Sequence, residues 1–501
     1  MKKLIVLSSV LLLIFAFAAT AFAQAPTLDF KASGLIDAQT FWFVNTTAGN
    51  PGAGVYNTWS GLPAAFNADG TTRDPIGKTV SFWESRARLK FDARMGKELS
   101  GTIQFEIDAG PWGTHDAAGT RNNAGFWTAD RAAVEVKHFY FDFGVPVVPV
   151  PISVRIGQQG LYVRPNFFLN NDGMAITAGI KLDPVTISPY YAKAVENNTE
   201  DSDDVDVYGL DVKAKLGPVT IGGYGFWYNM NTYPLNAGAA KTMEAEMLWL
   251  GLYADGKLGP VNLNFDFGYD RGEVENIVNP AIRAVKYRGW ATMLKVDFPW
   301  DKFNFGFMGA YGSGVDTRKT SATGLPGTAT SSGVASTKVS SFVVPPGTEV
   351  APAFGEGMVF FSSFVNRGDA AIDIALNGNQ LSRGHLGGLW FAKLYASLKA
   401  TPWYKITLQG FYIGDTTKNG NTFGTARNAP WGAANLKDDK SIGWELDLIN
   451  EIWIYKNLKF MIGGGYLWAG KAMDLYTNNA ATGNYDPKNP WSVSTNITYN
   501  F

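Results

Sequence analysis

The sequence predicts an all-β chain, a transmembrane antiparallel up-and-down β-barrel of about 18 strands, with about 16 as the alternative. Three observations predict it. Polar and apolar residues alternate with a period of two through most of the chain after residue 23. The connections between the alternating segments are by turns tiny and long. Aromatic residues collect where those segments end.

The alternation is clearest from Trp83 to Arg94. Every even position is charged (Glu84, Arg86, Arg88, Lys90, Asp92, Arg94), and Trp83, Ser85, Ala87, Leu89, Phe91 and Ala93 are small or apolar. A helix would scatter those charges around its circumference, whereas a strand puts them on one face. Val261, Leu263, Phe265, Phe267 and Tyr269 alternate in the same way with Asn262, Asn264, Asp266, Gly268 and Asp270. In the last segment Trp491, Val493, Thr495, Ile497, Tyr499 and Phe501 share one face. The segments lie near 28–44, 80–95, 99–109, 130–144, 151–160, 172–182, 185–195, 204–216, 218–229, 243–257, 260–270, 286–297, 302–312, 388–400, 403–414, 441–455, 457–468 and 491–501. Most hold the roughly 9–11 residues that a tilted strand needs to cross a bilayer. Within 130–144 the parity changes, Glu135 and Lys137 giving way to Phe139, Phe141 and Phe143, which predicts a bulge near His138.

The short connections are Gly96 to Glu98, Asp183-Pro184, Gly217, Leu258-Gly259, Pro299 to Asp301, Thr401-Pro402 and Lys456, with 145–150 somewhat longer. Between them run 45–79, 110–129, 161–171, 196–203, 230–242, 271–285, 313–387, 415–440 and 469–490. Short turns at one end and long loops at the other match periplasmic and extracellular ends. A Lys-Leu-Asp/Gly-Pro-Val turn recurs at 181–185, 215–219 and 257–261, a hairpin module too irregular for a solenoid or propeller. Phe41 to Phe43, Phe126, Trp127, Trp227, Tyr228, Trp300, Trp403, Tyr404, Trp468 and Trp491 suit the headgroup level of a bilayer. A secreted soluble β-protein would alternate too. The asymmetry of the ends, the charged face backed by a greasy one and the two aromatic belts weigh against it. In lipid no sheet edge can stay open, so the first and last strands must pair.

Residues 1–23 read as a signal peptide: Lys2 and Lys3, an apolar run from Leu4 to Ala19, then Ala21-Phe22-Ala23, with cleavage between Ala23 and Gln24. The expected mature unit is a single barrel domain, 24–501. Cysteine is absent, which excludes a Cys-ligated zinc or iron–sulfur site, covalent c-type haem, a cysteine nucleophile and a lipidated N-terminus. A net charge of −1 gives no basic excess for nucleic acid. A mean hydropathy of −0.07 is what results when a lipid-facing set is averaged with a wet lumen and polar loops. No cofactor or metal is expected, and no enzyme. Only His115, His138 and His385 exist, two of them in expected loops, and no Gly-x-Ser-x-Gly elbow occurs. Gly77-Lys78-Thr79 ends like a phosphate loop, but Thr72 stands where glycine is needed. In the acidic run from Glu200 to Asp206, Val205 occupies a position that would need an oxygen ligand, so a solvated loop is expected rather than a divalent-cation site.

On segment 1–23 and the final strand, which ends Tyr499-Asn500-Phe501, the chain resembles Gram-negative outer-membrane porins over its whole mature length. The stretch Gly443 to Leu448, followed by Lys456 to Leu458 and Gly463 to Tyr466, resembles the closing hairpin of alginate-export-type 18-strand porins. Glu445 and Asp447 on the inward parity depart from what a polyanion channel needs. The resemblance implies a water-filled channel in the cell outer membrane for passive diffusion of ions and small hydrophilic solutes. It also implies outer-membrane lipids and lipopolysaccharide as surroundings, and a barrel-assembly machinery that reads Phe501. A homotrimer stays open. The alternative is a non-conducting scaffold, either an adhesin or a sheath for an electron-transfer partner.

Parity places the lumen side chains: Glu84, Arg86, Arg88, Lys90, Asp92, Arg94, Glu106, Asp108, Arg155, Asp211, Lys213, Asp266, Lys393, Glu445, Asp447 and Glu451. Charged rings of this kind set selectivity in pores. The basic bank (Arg86, Arg88, Lys90, Arg94, Arg155) stands far along the wall from the acidic bank (Glu445, Asp447, Glu451), which predicts a transverse field. The plainer reading is charges that only solvate a wet lumen. The connection 313–387 far exceeds the usual limit of about 12–15 residues. Its apolar pieces, Val343 to Pro346 and Met358 to Phe361, allow a constriction loop, an extracellular cap, a subunit contact or a disordered surface loop.

Overall fold

Alternation gives each strand one apolar and one wet face, and closure into a barrel turns the first to lipid and the second to the lumen with every wall strand paired. The computed structural model describes residues 28–44, 80–109, 111–113, 125, 132–197, 199–235, 241–316, 338–348, 357–361, 380–384, 386–420, 422, 438–473 and 489–501. The signal segment with Ala23 and Gln24, and also His115, Phe126, Trp127 and His385, lie outside them. The strands are β1 (Leu28–Val44), β2 (Val80–Met95), β3 (Leu99–Ala109), β4 (Ala133–Gly144), β5 (Ile152–Val163), β6 (Leu169–Leu182) and β7 (Val185–Val195). Then come β8 (Val205–Leu216), β9 (Val219–Tyr233), β10 (Met243–Leu258), β11 (Val261–Asn276), β12 (Val285–Tyr287), β13 (Trp290–Trp300) and β14 (Phe303–Gly312). The last are β15 (Lys338–Val339), β16 (Leu389–Thr401), β17 (Tyr404–Asp415), β18 (Ser441–Tyr455), β19 (Leu458–Ala469) and β20 (Trp491–Asn500).

All but β12 and β15 form one antiparallel wall of eighteen strands. β1 closes it against β20, from Leu35↔Asn500 to Val44↔Trp491. At the seam Gly34 N–H donates to Phe501 O (2.8 Å) and Phe501 N–H returns to Gly34 O (3.0 Å). Among the described residues the eighteen-strand wall has no open edge.

The outer face is greasy. Leu252 and Leu394 are 61% and 68% exposed, in a continuous band with Ile103, Leu210, Leu250, Leu408, Leu446 and Leu448. A surface like this belongs in lipid, not in water. At the long-loop end the band is bordered by exposed Trp83, Trp227, Trp290, Trp444 and Trp468, and at the short-turn end by Trp300, Phe303, Trp403, Tyr455 and Phe501. Trp290 and Trp300 bound one strand. Their spacing of about 33 Å along it, at about 3.3 Å per residue and a tilt of about 40°, gives roughly 25 Å along the barrel axis, the height of an apolar bilayer band. Gly217 (φ +62°) and Gly259 (φ +60°) open two of the repeated turns, where the first central position needs a positive φ that glycine takes without cost.

Three places depart from plain alternation. In β4 the bulge expected near His138 is present: Gln104 pairs with His138 and Phe105 with Val136, so Lys137 is the extra residue. The strand expected over 286–297 is broken between β12 and β13. Asp270 Oδ1 accepts the Gly289 N–H (2.9 Å), and the Asp270 N–H goes to Gly289 O (3.0 Å), which frees β12 to pair in parallel with β15. The third departure corrects the reading of 161–171 as an extracellular loop. β5 and β6 stay paired up to Val163↔Leu169, yet β4 follows β5 only as far as Gln158 and β7 follows β6 only as far as Met174. The hairpin tip 159–173 therefore leaves the wall and bends into the barrel. It leaves beside Gly157 (φ +132°), where a Cβ would lie 2.4 Å from Phe139 O.

Candidate functional site

Two inward segments cover one side of the lumen. The first is the β5–β6 tip. Its Phe168 ring lies 4.5 Å from Tyr224, 5.4 Å from Phe226 and 6.1 Å from Trp249, and Phe167 packs on Phe342 at 5.9 Å. Arg164 reaches β10 and β11, forking onto Asp255 (Nη1 to Oδ2; Nη2 to Oδ1, 3.0 Å) and Asp266 (Nε to Oδ1; Nη2 to Oδ2, 2.8 Å). Its guanidinium sits over Tyr253 at 4.6 Å. Bidentate pairing on both carboxylates is the strongest geometry open to arginine, and it offsets the cost of taking these charges out of water.

The second is the long connection 313–387, whose described apolar pieces pack against strands β10, β11, β16, β17, β18 and β20. Near 341–348, Trp249 Nε1 donates to Val343 O (2.8 Å) and Val343 N–H to Asp270 Oδ2 (3.1 Å). Asn170 N–H donates to Thr348 Oγ1 (2.8 Å) and Asn171 Nδ2 to Pro346 O (3.3 Å), joining the two segments. The other piece, 357–361, is anchored on β18 and β20. The Glu445 carboxylate accepts the N–H groups of Met358 (3.0 Å), Val359 (2.8 Å) and Phe360 (2.7 Å). Asp447 Oδ2 also accepts Met358 N–H (3.1 Å), and Ser492 Oγ donates to Met358 O. Phe361 packs on Phe391 (4.9 Å) and Phe411 (6.0 Å). Gly465 makes room for this contact, since a Cβ there would stand 2.8 Å from Met358 Cβ.

Several residues of the parity assignment therefore face inward without meeting water. Glu445 and Asp447 are 2% and 1% exposed beneath 357–361. Lys393 is buried with its ammonium over the rings of Tyr395 (4.7 Å) and Phe411 (5.4 Å). Asp266 lies under Arg164, and Asp211 accepts the Tyr253 hydroxyl (2.8 Å). Lys213 is exposed. Glu451, near the short-turn end, pairs with Lys405 (2.6 Å) and Lys459 (3.6 Å).

The opposite wall, β2 to β5, is a ladder of ion pairs. Arg86 binds Asp108 through two bonds (2.6 and 2.9 Å) and approaches Glu106 at 3.7 Å. Arg88 binds Glu106. Lys137 shares the inward parity of Glu135, binds Asp172 (2.7 Å) and lies 3.6 Å from Glu106. His138 Nε2 contacts Asp172 (2.8 Å) and its Nδ1 contacts Gln104 (3.1 Å). Arg155 forks onto Asp142 (2.7 and 3.3 Å) and lies over Tyr140 at 4.1 Å. Lys90 pairs with Asp92 at 3.2 Å. Glu84 and Glu106 are buried, but side-chain exposure climbs from 14% at Arg86 through 24% at Arg88 to 35% at Lys90, and Arg94 is exposed. The ladder meets water at Arg88, Lys90 and Arg94, while Asp92 between the last two is buried.

This corrects the two-bank picture. Arg86, Arg88, Lys90 and Arg155 each carry a carboxylate of their own, and two of the acidic bank are capped by backbone N–H groups. The lumen wall is an array of local dipoles, not a basic face opposed to an acidic one. Alternation alone did not find Lys137, His138, Asp142, Arg164, Asp172 or Asp255. Asp142 was within reach of sequence reasoning, because its register partner across β5 is Arg155. Arg164 lies in no periodic segment and left no signal. The acidic run near 200–206 is held by the chain's own Lys193, which meets Asp204 (2.7 Å), Asp206 (3.1 Å) and Glu196 (3.4 Å). Among the described residues no group of His, Asp and Glu has the geometry of a metal site.

No family model matches the chain, and no curated protein does. Among solved structures it is similar to the crystal structure of Pseudomonas aeruginosa OpdQ, with a TM-score of 0.48 and 10% identity over 94% of this chain and 98% of that one. It is similar to Pseudomonas aeruginosa OccK8 (OprE), with a TM-score of 0.48 and 9% identity over the same shares. It is also similar to the outer membrane protein opdK of that organism, with a TM-score of 0.46 and 10% identity over 94% and 99%.

Proposed function

We propose that the chain is an outer-membrane channel, a porin through which ions and small hydrophilic solutes diffuse passively. The observation that carries this reading is the ion-paired ladder of β2 to β5, partly open to water inside a closed barrel whose outer face is apolar. A barrel of about eighteen strands is wider than its side chains can fill. In this reading the inward segments fill one side of the lumen and the passage follows the other. Alternating cations and anions along that passage replace the hydration of a polar solute without holding it tightly, as conduction requires. The reading includes export by segment 1–23 with cleavage between Ala23 and Gln24, and insertion by an assembly machinery that reads the terminal strand and Phe501. It is a passage and not a catalyst. A sheath role is disfavoured by the inward segments themselves, which occupy space that a threaded partner would need.

The test is electrical. The purified full chain in a planar bilayer with potassium chloride on both sides gives discrete conductance steps. A protein that inserts and gives none contradicts the channel reading.

A further inference from the structure

The bulge of β4 puts two successive side chains on one face. Lys137 keeps the inward parity of Glu135, and the extra residue brings His138 to the same face, opposite the inward Gln104. Both reach one carboxylate. Asp172, at the root of the inward hairpin tip, meets Lys137 Nζ on Oδ2 (2.7 Å), and His138 Nε2 (2.8 Å) and the Tyr162 hydroxyl (2.9 Å) on Oδ1. A carboxylate oxygen only accepts, so Nε2 carries a proton in the neutral ring and in the charged one.

The second proton therefore belongs to Nδ1, which faces the Gln104 side-chain amide at 3.1 Å. A primary amide serves both states. Its NH2 donates to a bare Nδ1, and when it turns over its oxygen accepts from Nδ1–H. The ring can take up a proton without losing a hydrogen bond. Its side chain is 11% exposed and that of Asp172 28%, so water reaches the pair from the lumen.

The charges around the ring are set against one another. Glu106 of β3 holds Arg88 of β2 and lies 3.6 Å from Lys137, and Lys90 of β2 pairs with Asp92. Arg155 of β5 binds Asp142 and lies over Tyr140, whose ring is 6.2 Å from that of His138. Glu135 stands opposite Glu106 on the same face. Carboxylates, lysine and arginine ordinarily hold their charge between about pH 5.5 and 7.5, and histidine is the side chain whose charge ordinarily changes there.

We propose that His138 makes the ion selectivity of the channel depend on pH: a proton at Nδ1 adds one positive charge to the wall of the passage and shifts its preference from cations toward anions. The inference deepens the channel reading and rests on it. Reversal potentials of the purified full chain are measured in planar bilayers across a potassium chloride gradient, at about pH 7.5 and about pH 5.5. On acidification the chloride-to-potassium permeability ratio of the wild type rises about threefold, the order expected of one unit charge within a Debye length of the ion path. His115→Gln/His385→Gln removes the other two histidines and keeps that rise. His138→Gln abolishes it, and His138→Arg, with a fixed charge, gives the acid ratio at both pH values. Heat-modifiable gel mobility verifies that each variant is folded. A rise that survives His138→Gln, a rise that is lost in His115→Gln/His385→Gln, or a wild-type ratio that does not change overturns the proposal and leaves the channel reading in place. A folded wild type without conductance steps overturns both.

Discussion

The two sides of this lumen are built from the same alternating strands and end in opposite states. On β2 to β5 the inward charges pair with their strand neighbours, Arg86 with Asp108 and Arg155 with Asp142, and stay partly wet. On β10, β11 and β18 the inward charges serve as anchors: Asp255 and Asp266 hold Arg164, and Glu445 holds three backbone N–H groups of the long connection. Parity decides that a side chain faces in. It does not decide whether the side chain meets water or another part of the chain, and a carboxylate with an unmet neighbour is an invitation to a loop.

The contrast can be broken at its covered side. Arg164→Met leaves the buried Asp266 without its cation, while the part-exposed Asp255 keeps Asn264, and the loss of the cation from a buried carboxylate costs about 3–5 kcal/mol. Urea titration of the refolded barrel is expected to show a lower midpoint, restored in part by adding Asp255→Asn and Asp266→Asn. Phe168→Ala removes a fully buried ring against Tyr224 and Trp249 and is expected to cost about 3 kcal/mol in the same titration. Glu445→Gln with Asp447→Asn replaces charge-assisted acceptors by weaker neutral ones. The 357–361 segment then loosens, and single-channel conductance rises several-fold with little change in overall stability.

The open side gives a smaller effect of a different kind. Arg86→Gln with Arg88→Gln removes the Arg86 pair from Asp108 and the arginine pairs from Glu106, which keeps Lys137. The reversal potential in a salt gradient is expected to shift toward potassium. An unchanged potential means that these charges do no more than solvate the wall.

Most of the barrel was legible because alternation is local. Trp83 to Arg94 alone declares a strand with one wet face, and the parity change around Lys137 declares the bulge. The break at Arg288-Gly289 was not legible, because it depends on the Asp270 carboxylate accepting the Gly289 N–H from a different strand. The inward hairpin tip was hidden for the same reason: the counter-ions of Arg164 lie at 255 and 266, far along the chain, and nothing periodic marks 164. For the long connection the sequence left four readings open; its apolar pieces, Val343-Val344 and Met358 to Phe361, are buried. What the sequence could not supply was their docking partners, Asp270 and Glu445, whose residue types point equally well to a wet pore.

The central claim, that the passage follows the ion-paired wall and avoids the covered one, can be tested on a chain without cysteine. Lys90→Cys places one thiol on β2, and Gln409→Cys places one on β17, where Gln409 is 4% exposed and bonded to Asp447 at 3.0 Å. Single-channel current is then recorded while a bulky, membrane-impermeant thiol reagent is added. Current through the Lys90→Cys channel falls and current through the Gln409→Cys channel does not. Block at Gln409 with no effect at Lys90 contradicts this path.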